Sequence, residues 1–383
     1  MRYFPPAGIF IIYELVKGVV YIKHKLMLVA AYLGAVIGAG FASGQEIVQF
    51  FVNYNLEGIK GVLVATVLFA ICGAFLLYLA HAQKTSNYQD MLRYLLGNRL
   101  GSAVDILLAG FLYMGIGTML SASGAMFYEH LYLPKSLGIG LAYVIIVILL
   151  IVGKKGLIVS YSILVPIKII LLVVISGYAA FVLPARNPDT SAISASMYFD
   201  GGWMAASILY VAYNFTLAMV VLTEYQSVTS RRNSVIGAAW GGLALGLLVV
   251  LNYLSMCKFL PEVLHYQVPM LYVAGNINLQ AKHLYTIVLW LGIITTAMAN
   301  AYGFAQRFAR FTRLNYGFCL VFAVTMAIPL SMQSFASLVG RVYPIFGALG
   351  VIIIAALLYK AIKAVAIELY YRIISLFRGT KEA

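Results

Sequence analysis

Two ionisable side chains sit inside long apolar segments and are the first chemistry this chain offers. Glu46 lies in VIGAGFASGQEIVQFF and Lys168 in VPIKIILLVV. An intramembrane carboxylate or ammonium is expensive, so each is a functional candidate by default: gate, proton relay or counter-ion. Solvation of Glu46 in an outer vestibule is the plainer alternative for that residue. For Lys168 the plainer alternative is a structural bond to a carbonyl or to Glu46. A third polar group, Tyr213-Asn214-Phe215 within LYVAYNFTLAMVV, stands where a lipid-facing helix would carry Leu, Ile and Val. Asn214 brings both a donor and an acceptor. Interhelical hydrogen bonding in a bundle core is the competing use of these side chains.

The glycines around Glu46 set the stage for it. Gly34, Gly38, Gly40 and Gly44 crowd one apolar segment, and each costs roughly 1 kcal/mol against alanine in a straight helix. They suit a membrane helix that breaks at mid-depth and offers its backbone to a ligand. Gly38, Ala39 and Gly40 are the expected unwound point, with Ser43 close by. Amide groups there can approach an anionic substrate group at the start of the outer half-helix. Small-xxx-small packing of Gly34/Gly38 and Gly40/Gly44 is the alternative.

Composition decides the solvent. The 383 residues are 63% hydrophobic and 10% charged, with a mean hydropathy of +0.95. A soluble domain runs nearer ~45–50% apolar and ~25% charged. Continuous apolar runs of about 20 residues recur, and they do not alternate as barrel strands would. The chain therefore reads as an all-α polytopic membrane protein embedded in a lipid bilayer. Ten spans are expected near 26–52, 59–81, 102–128, 136–153, 157–183, 201–228, 234–258, 283–306, 314–332 and 335–359.

The formal charge of +14 does not mark a nucleic-acid surface, because the basic residues are scattered through short loops. Most of the 26 lysines and arginines fall on one side of a ten-span map. They lie in the N-terminus, after spans two, four, six and eight, and in the tail. Lys60, Lys135, Arg186, Lys258 and Lys282 are opposite. The bias puts both termini in the cytoplasm of a multi-pass protein of the cell membrane. Residues 1–25 read as a cytoplasmic extension and residues 361–383 as a basic tail. The sequence YQDMLRYLL reads as an interfacial helix on the cytoplasmic side. PMLYVAGNI, in the longest external loop, reads as a short helix that is either a lid or an ordinary connector.

Spans one and six, the two unusual ones, begin on opposite sides of the membrane. That suggests two five-span repeats of inverted topology, residues 26–183 and 201–360, joined by an external linker at 184–200. GAVIGAGFASGQEI, residues 34–47, strongly resembles the first-helix signature of the YkvI family of bacterial membrane proteins. That family looks like a distant branch of the amino acid–polyamine–organocation superfamily. The resemblance, over roughly residues 26–360, implies the LeuT-type five-plus-five fold with discontinuous helices one and six. It implies a symporter of a small amino acid or related amine, working by alternating access. Gly38, Ala39, Gly40, Ser43, Tyr213, Asn214 and Phe215 would then bind the substrate.

The resemblance leaves the coupling ion open between H+ and Na+, with no other cofactor. Some proton-coupled members of the superfamily place a fifth-helix lysine where others hold sodium, and Lys168 resembles it. Sodium-coupled members use eighth-helix hydroxyls, here Thr295 and Thr296, with first-helix carbonyls near Gly34 and Ile37. Arg341, near the outer end of span ten, is a candidate partner for Glu46 in an outer gate. A ligand-sensing receptor that does not transport is the alternative function. No enzyme is expected: the five histidines are at loop or span-end positions, and no nucleophile–base arrangement recurs. Cys72, Cys257 and Cys319 are isolated and read as small core residues.

Overall fold

A computed structural model describes residues 25–151, 154–185, 202–227 and 229–379, and the side chains of all of these except 154–165 and 372–379. The N-terminal extension and most of the linker expected at 184–200 lie outside the described residues. Among those described, every regular element is helical.

Span one is α1 (Lys25–Val36), α2 (Ala39–Ser43) and α3 (Gln45–Phe50), followed by a 3-10 turn at Val52–Glu57. Spans two to five are α4 (Gly58–Gln83), α6 (Asn98–His130), α7 (Lys135–Ile151) and α8 (Lys154–Phe181). Between the second and third lies α5 (Tyr88–Leu96). Span six is α9 (Gly202–Leu222) and span seven α10 (Arg231–Cys257). The short α11 (Pro269–Ile277) precedes α12 (Leu279–Thr312), the eighth span. Span nine is α13 (Tyr316–Met326) and α14 (Ile328–Ser331), divided just before Pro329. α15 (Phe335–Gly379) ends the described chain.

Six of these helices are long and apolar enough to cross a membrane, and four shorter apolar helices supply the remaining spans. Packing repeats with a five-span offset. α4 packs on α10 and α6 on α12, each pairing a span with its counterpart five later. The contact of α8 with α10 is matched by that of α15 with α4, and α6 on α7 by α12 on α13. The short helices obey the same offset: α5 packs on α6 as α11 packs on α12. An odd number of crossings between counterparts inverts one repeat relative to the other, so the arrangement is five-plus-five and inverted.

One expectation is corrected. Span six is not broken at its centre: α9 is continuous through Tyr213, Asn214 and Phe215, and helix type changes only at Thr223–Ser227, where a 3-10 turn begins. Polar side chains here bond inside their own helix. Asn214 Nδ2 donates to Tyr210 O at 3.2 Å and Thr216 Oγ1 to Ala212 O at 2.7 Å. Over the residues expected as a basic tail, α15 runs on to Gly379, and this extension is fastened by Glu368, which accepts from Tyr78 Oη and Arg231 Nη2, each at 2.7 Å.

The tightest helix contact comes from missing side chains. A Cβ on Gly242 of α10 would collide with the backbone of Phe69 and Ala70 on α4, and one on Gly246 with Thr66. Close backbone approach of this kind is the main source of helix association where lipid removes the hydrophobic drive. Gly242→Leu is expected to cost at least about 1–3 kcal/mol of packing. The purified variant should melt several degrees lower. Trp240→Leu, at a side chain 60% exposed on the same helix, should leave the midpoint unchanged.

Candidate substrate site at the interrupted first span

The break in span one has two joints. The first is at Ile37–Gly38, where Gly38 is extended (φ −79°, ψ −174°). The second is Gly44, at φ +86°. A β-carbon at Gly44 would be strained by that φ and would press on Met256 and Met270. Between the joints, α2 is hung on α12 from both ends. Ala39 N donates to Thr296 Oγ1 at 3.2 Å, and Tyr285 Oη donates to Ala42 O at 2.6 Å. Gly38 N turns back to Val36 O at 2.7 Å. Ser43 seals the second joint: its hydroxyl donates to Gly40 O at 2.7 Å and accepts from Gln45 N at 3.2 Å.

Glu46, in the first turn of α3, folds back over Gly40, so that a β-carbon there would strike its carboxylate. The side chain is buried. Tyr213 Oη donates a hydrogen bond to it, and Asn214 lines the same cavity. Lys168 is buried on α8 within electrostatic reach of Glu46. Its Cδ passes 3.4 Å from where a β-carbon on Gly292 would stand. Gly292 O also receives the hydroxyls of Thr295 and Thr296, both at 2.9 Å.

These groups line one cavity of about 290 Å³. Among its walls are Gly34, Ile37, Gly38, Ala39 and Gly40 of span one, Glu46, Lys168, Tyr213, Asn214, and Thr295 and Thr296. Along α12 the lining extends from Thr295 to Arg307 and along α9 from Tyr213 to Val221, towards the C-terminal ends of both helices, of which that of α12 carries Arg307 and Arg310. At the other end stands a cluster of tilted aromatic rings. Phe50 lies 5.7 Å from Tyr213, and Tyr213 lies 5.0 Å from Tyr343, centroid to centroid.

Three expected site residues are elsewhere. Ser43 and Phe215 are wholly buried and do not line the cavity; the serine hydroxyl is spent on the second joint. Arg341 is exposed, and among the described residues no ion pair joins it to Glu46. Glu46 takes a hydrogen bond from Tyr213 instead, from inside the bundle.

Sequence reasoning missed Phe111, Asn300, Arg307 and Tyr343, all of which reach the cavity. Asn300, a lone amide in an apolar span, was the one with a legible signal. Arg307 read as a loop cation but lies in α12. It is held by Asp105 at 3.6 Å and by the hydroxyl of Tyr88, which itself donates to Asp105 at 2.6 Å.

Thr296→Val would keep the shape of α12 and leave the Ala39 amide without an acceptor. A buried donor left unpaired costs about 1–3 kcal/mol. The variant should melt lower and exchange its Ala39 amide hydrogen faster than the parent, while Thr286→Val, whose hydroxyl only back-bonds to Lys282 O, should not.

No family model matches the chain. It is similar along most of its length to two membrane-type relatives of Bacillus subtilis (strain 168). One is the uncharacterised membrane protein YkvI, 28% identical over 335 residues, 87% of this chain and 95% of that one. The other is the uncharacterised protein YyaD, 24% identical over 327 residues, 85% and 94%. Among solved structures, the fold matches MhsT in complex with L-phenylalanine (TM-score 0.61, 16% identity, 86% of this chain and 87% of that one). It also matches Mhp1, a nucleobase-cation-symport-1 family transporter (TM-score 0.50, 14% identity, 82% and 74%). The chain is thus a homologue of the YkvI and YyaD membrane proteins, built on the LeuT-type fold that MhsT and Mhp1 also have.

Proposed function

We propose that this protein is a secondary transporter of a small amino acid or related amine, working by alternating access and coupled to protons through Lys168. The observation that carries the reading is a cavity at the interrupted first span with a buried lysine in its wall. A cavity at mid-depth between two inverted repeats is where transporters of this architecture hold their cargo. MhsT binds L-phenylalanine in its structure and Mhp1 is a transporter, which supports cargo of that size.

Lys168 favours the proton over sodium. Its side chain runs along Gly292, whose carbonyl takes both threonine hydroxyls. The Thr296 oxygen is further engaged by Ala39 N. A sodium ion placed among Gly34, Ile37, Thr295 and Thr296 would sit beside an ammonium, and like charges at that range repel strongly in a low-dielectric interior. A lysine that gains and loses a proton there can exchange charge without a metal.

By the distribution of lysine and arginine, the end of the cavity near Arg307 faces the cytoplasm, as do both termini, in the cell membrane. The aromatic cluster around Tyr213 then closes the outer side, and the arrangement is that of a carrier turned inward.

Uptake into proteoliposomes should depend on the pH gradient and not on sodium. Lys168→Ala should abolish the pH dependence; proton dependence unchanged in this variant would remove Lys168 from the mechanism. Bound ligand without counterflow at any gradient would instead identify a receptor on the same fold.

A further inference from the structure

Glu46 occupies the place that a ligand's own carboxylate would need. We propose that the cavity is built for a small organic monocation without a carboxylate, an alkylammonium or quaternary amine, held by the Glu46 carboxylate and the rings of Phe111, Tyr213 and Tyr343. This inference rests on the reading of the cavity as the substrate site and narrows its cargo from amino acids and amines to amines alone.

Three observations converge. The backbone donors at the first joint are already used: Gly38 N by Val36 O and Ala39 N by Thr296. Gly40 is covered by the carboxylate of Glu46. An incoming anion would find no amide free at Gly38 or Ala39 and would meet a like charge at Gly40. A cation meets the opposite situation, a carboxylate in a cavity wall with its water removed, once Lys168 in the same wall has given up the proton that the proposed coupling assigns to it.

The rings complete the case. Phe111, Tyr213 and Tyr343 all line the cavity and pack against one another. Their centroids are 5.0 Å (Tyr213–Tyr343), 5.9 Å (Phe111–Tyr343) and 6.4 Å (Phe111–Tyr213) apart. Tyr213 is shared between both halves of the site, since its hydroxyl holds Glu46. Aromatic faces attract a desolvated cation, and a cage of them suits substituted ammonium groups that make few hydrogen bonds. About 290 Å³ is at the small end of ligand cavities, which fits a cation of few heavy atoms.

The other charges of the cavity do not supply a second anion site of equal quality. Arg307 is at the far mouth and already engaged with Asp105 and Tyr88. Lys168 faces Glu46 electrostatically. A zwitterion could in principle span Glu46 and Lys168, and the test separates that case.

The test uses the purified full-length protein with three probes: isobutylammonium, tetramethylammonium and valine, which is isobutylammonium with a carboxylate added. Thermal midpoint and titration calorimetry are read for each. Both ammonium ions should raise the midpoint and valine should not. Glu46→Gln keeps the shape of the side chain and should weaken ammonium binding by at least about tenfold. Tyr343→Leu should weaken tetramethylammonium more than isobutylammonium, and it carries the test if Glu46→Gln does not fold. Valine binding as tightly as isobutylammonium, ammonium binding that survives in a folded Glu46→Gln, or no binding of any probe would each overturn the proposal. Counterflow separates the two levels. Amine binding without counterflow sinks the transporter and keeps the cation site; valine counterflow without amine binding does the reverse.

Discussion

A backbone amide buried at membrane depth must have an acceptor, because no water is there to replace one and the cost of leaving it bare is several kcal/mol. The interruption of span one creates that problem at Ala39, and Thr296 solves it. Everything else at the site follows from this bond and its companion at Tyr285. Together they fix the five residues of α2 against α12 and set the angle at which α3 leaves Gly44. That angle lays Glu46 over Gly40 and against Tyr213. The cavity is what remains between α2, α9 and α12 once those positions are set.

Glu46 shows how a carboxylate is kept inside such a bundle. It has no arginine partner among the described residues; a tyrosine hydroxyl donates to it, and Asn214 and the buried Lys168 line the same cavity. Hydrogen bonds from neutral donors satisfy the oxygens without fixing the site's net charge. The charge balance of the cavity is therefore left to Lys168 and to whatever enters. A rigid buried ion pair would have frozen that choice.

Much of this was legible in the sequence, for reasons that differ by residue. The glycines at 38, 40 and 44 announced a broken helix, and the break falls at Ile37–Gly38 and at Gly44, whereas Ala39 and Gly40, expected in the unwound point, are helical in α2. The offset of five spans was legible from charge and from the two polar segments, and YQDMLRYLL and PMLYVAGNI were recognisable as short helices from their flanks. The reading of span six failed on one point of chemistry. Asn214 and Thr216 return their hydrogen bonds to carbonyls one turn back, so polarity at mid-membrane marked a cavity wall without breaking the helix. Tyr343 was invisible because one tyrosine among 28 carries no signal of its own; only its convergence with Tyr213 and Phe111 gives it meaning. Arg341 looked attractive by depth alone, and the direction of its helix face turned it outward.

The contrast between the broken span one and the whole span six has a mechanical consequence. α9 is clasped along its backbone by α15, where β-carbons on Gly347 and Gly350 would meet the carbonyls of Leu209 and Ala212. An unbroken helix held so closely behaves as a post. α2, by contrast, has a joint at each end and hangs from α12 by two hydrogen bonds. The joints that border the site thus lie in one repeat, at Ile37–Gly38 and Gly44, while Tyr213 stands on an unbroken helix. The carboxylate of Glu46 is carried by the jointed span and its tyrosine partner by the unbroken one, so the Tyr213–Glu46 hydrogen bond is the link between the two.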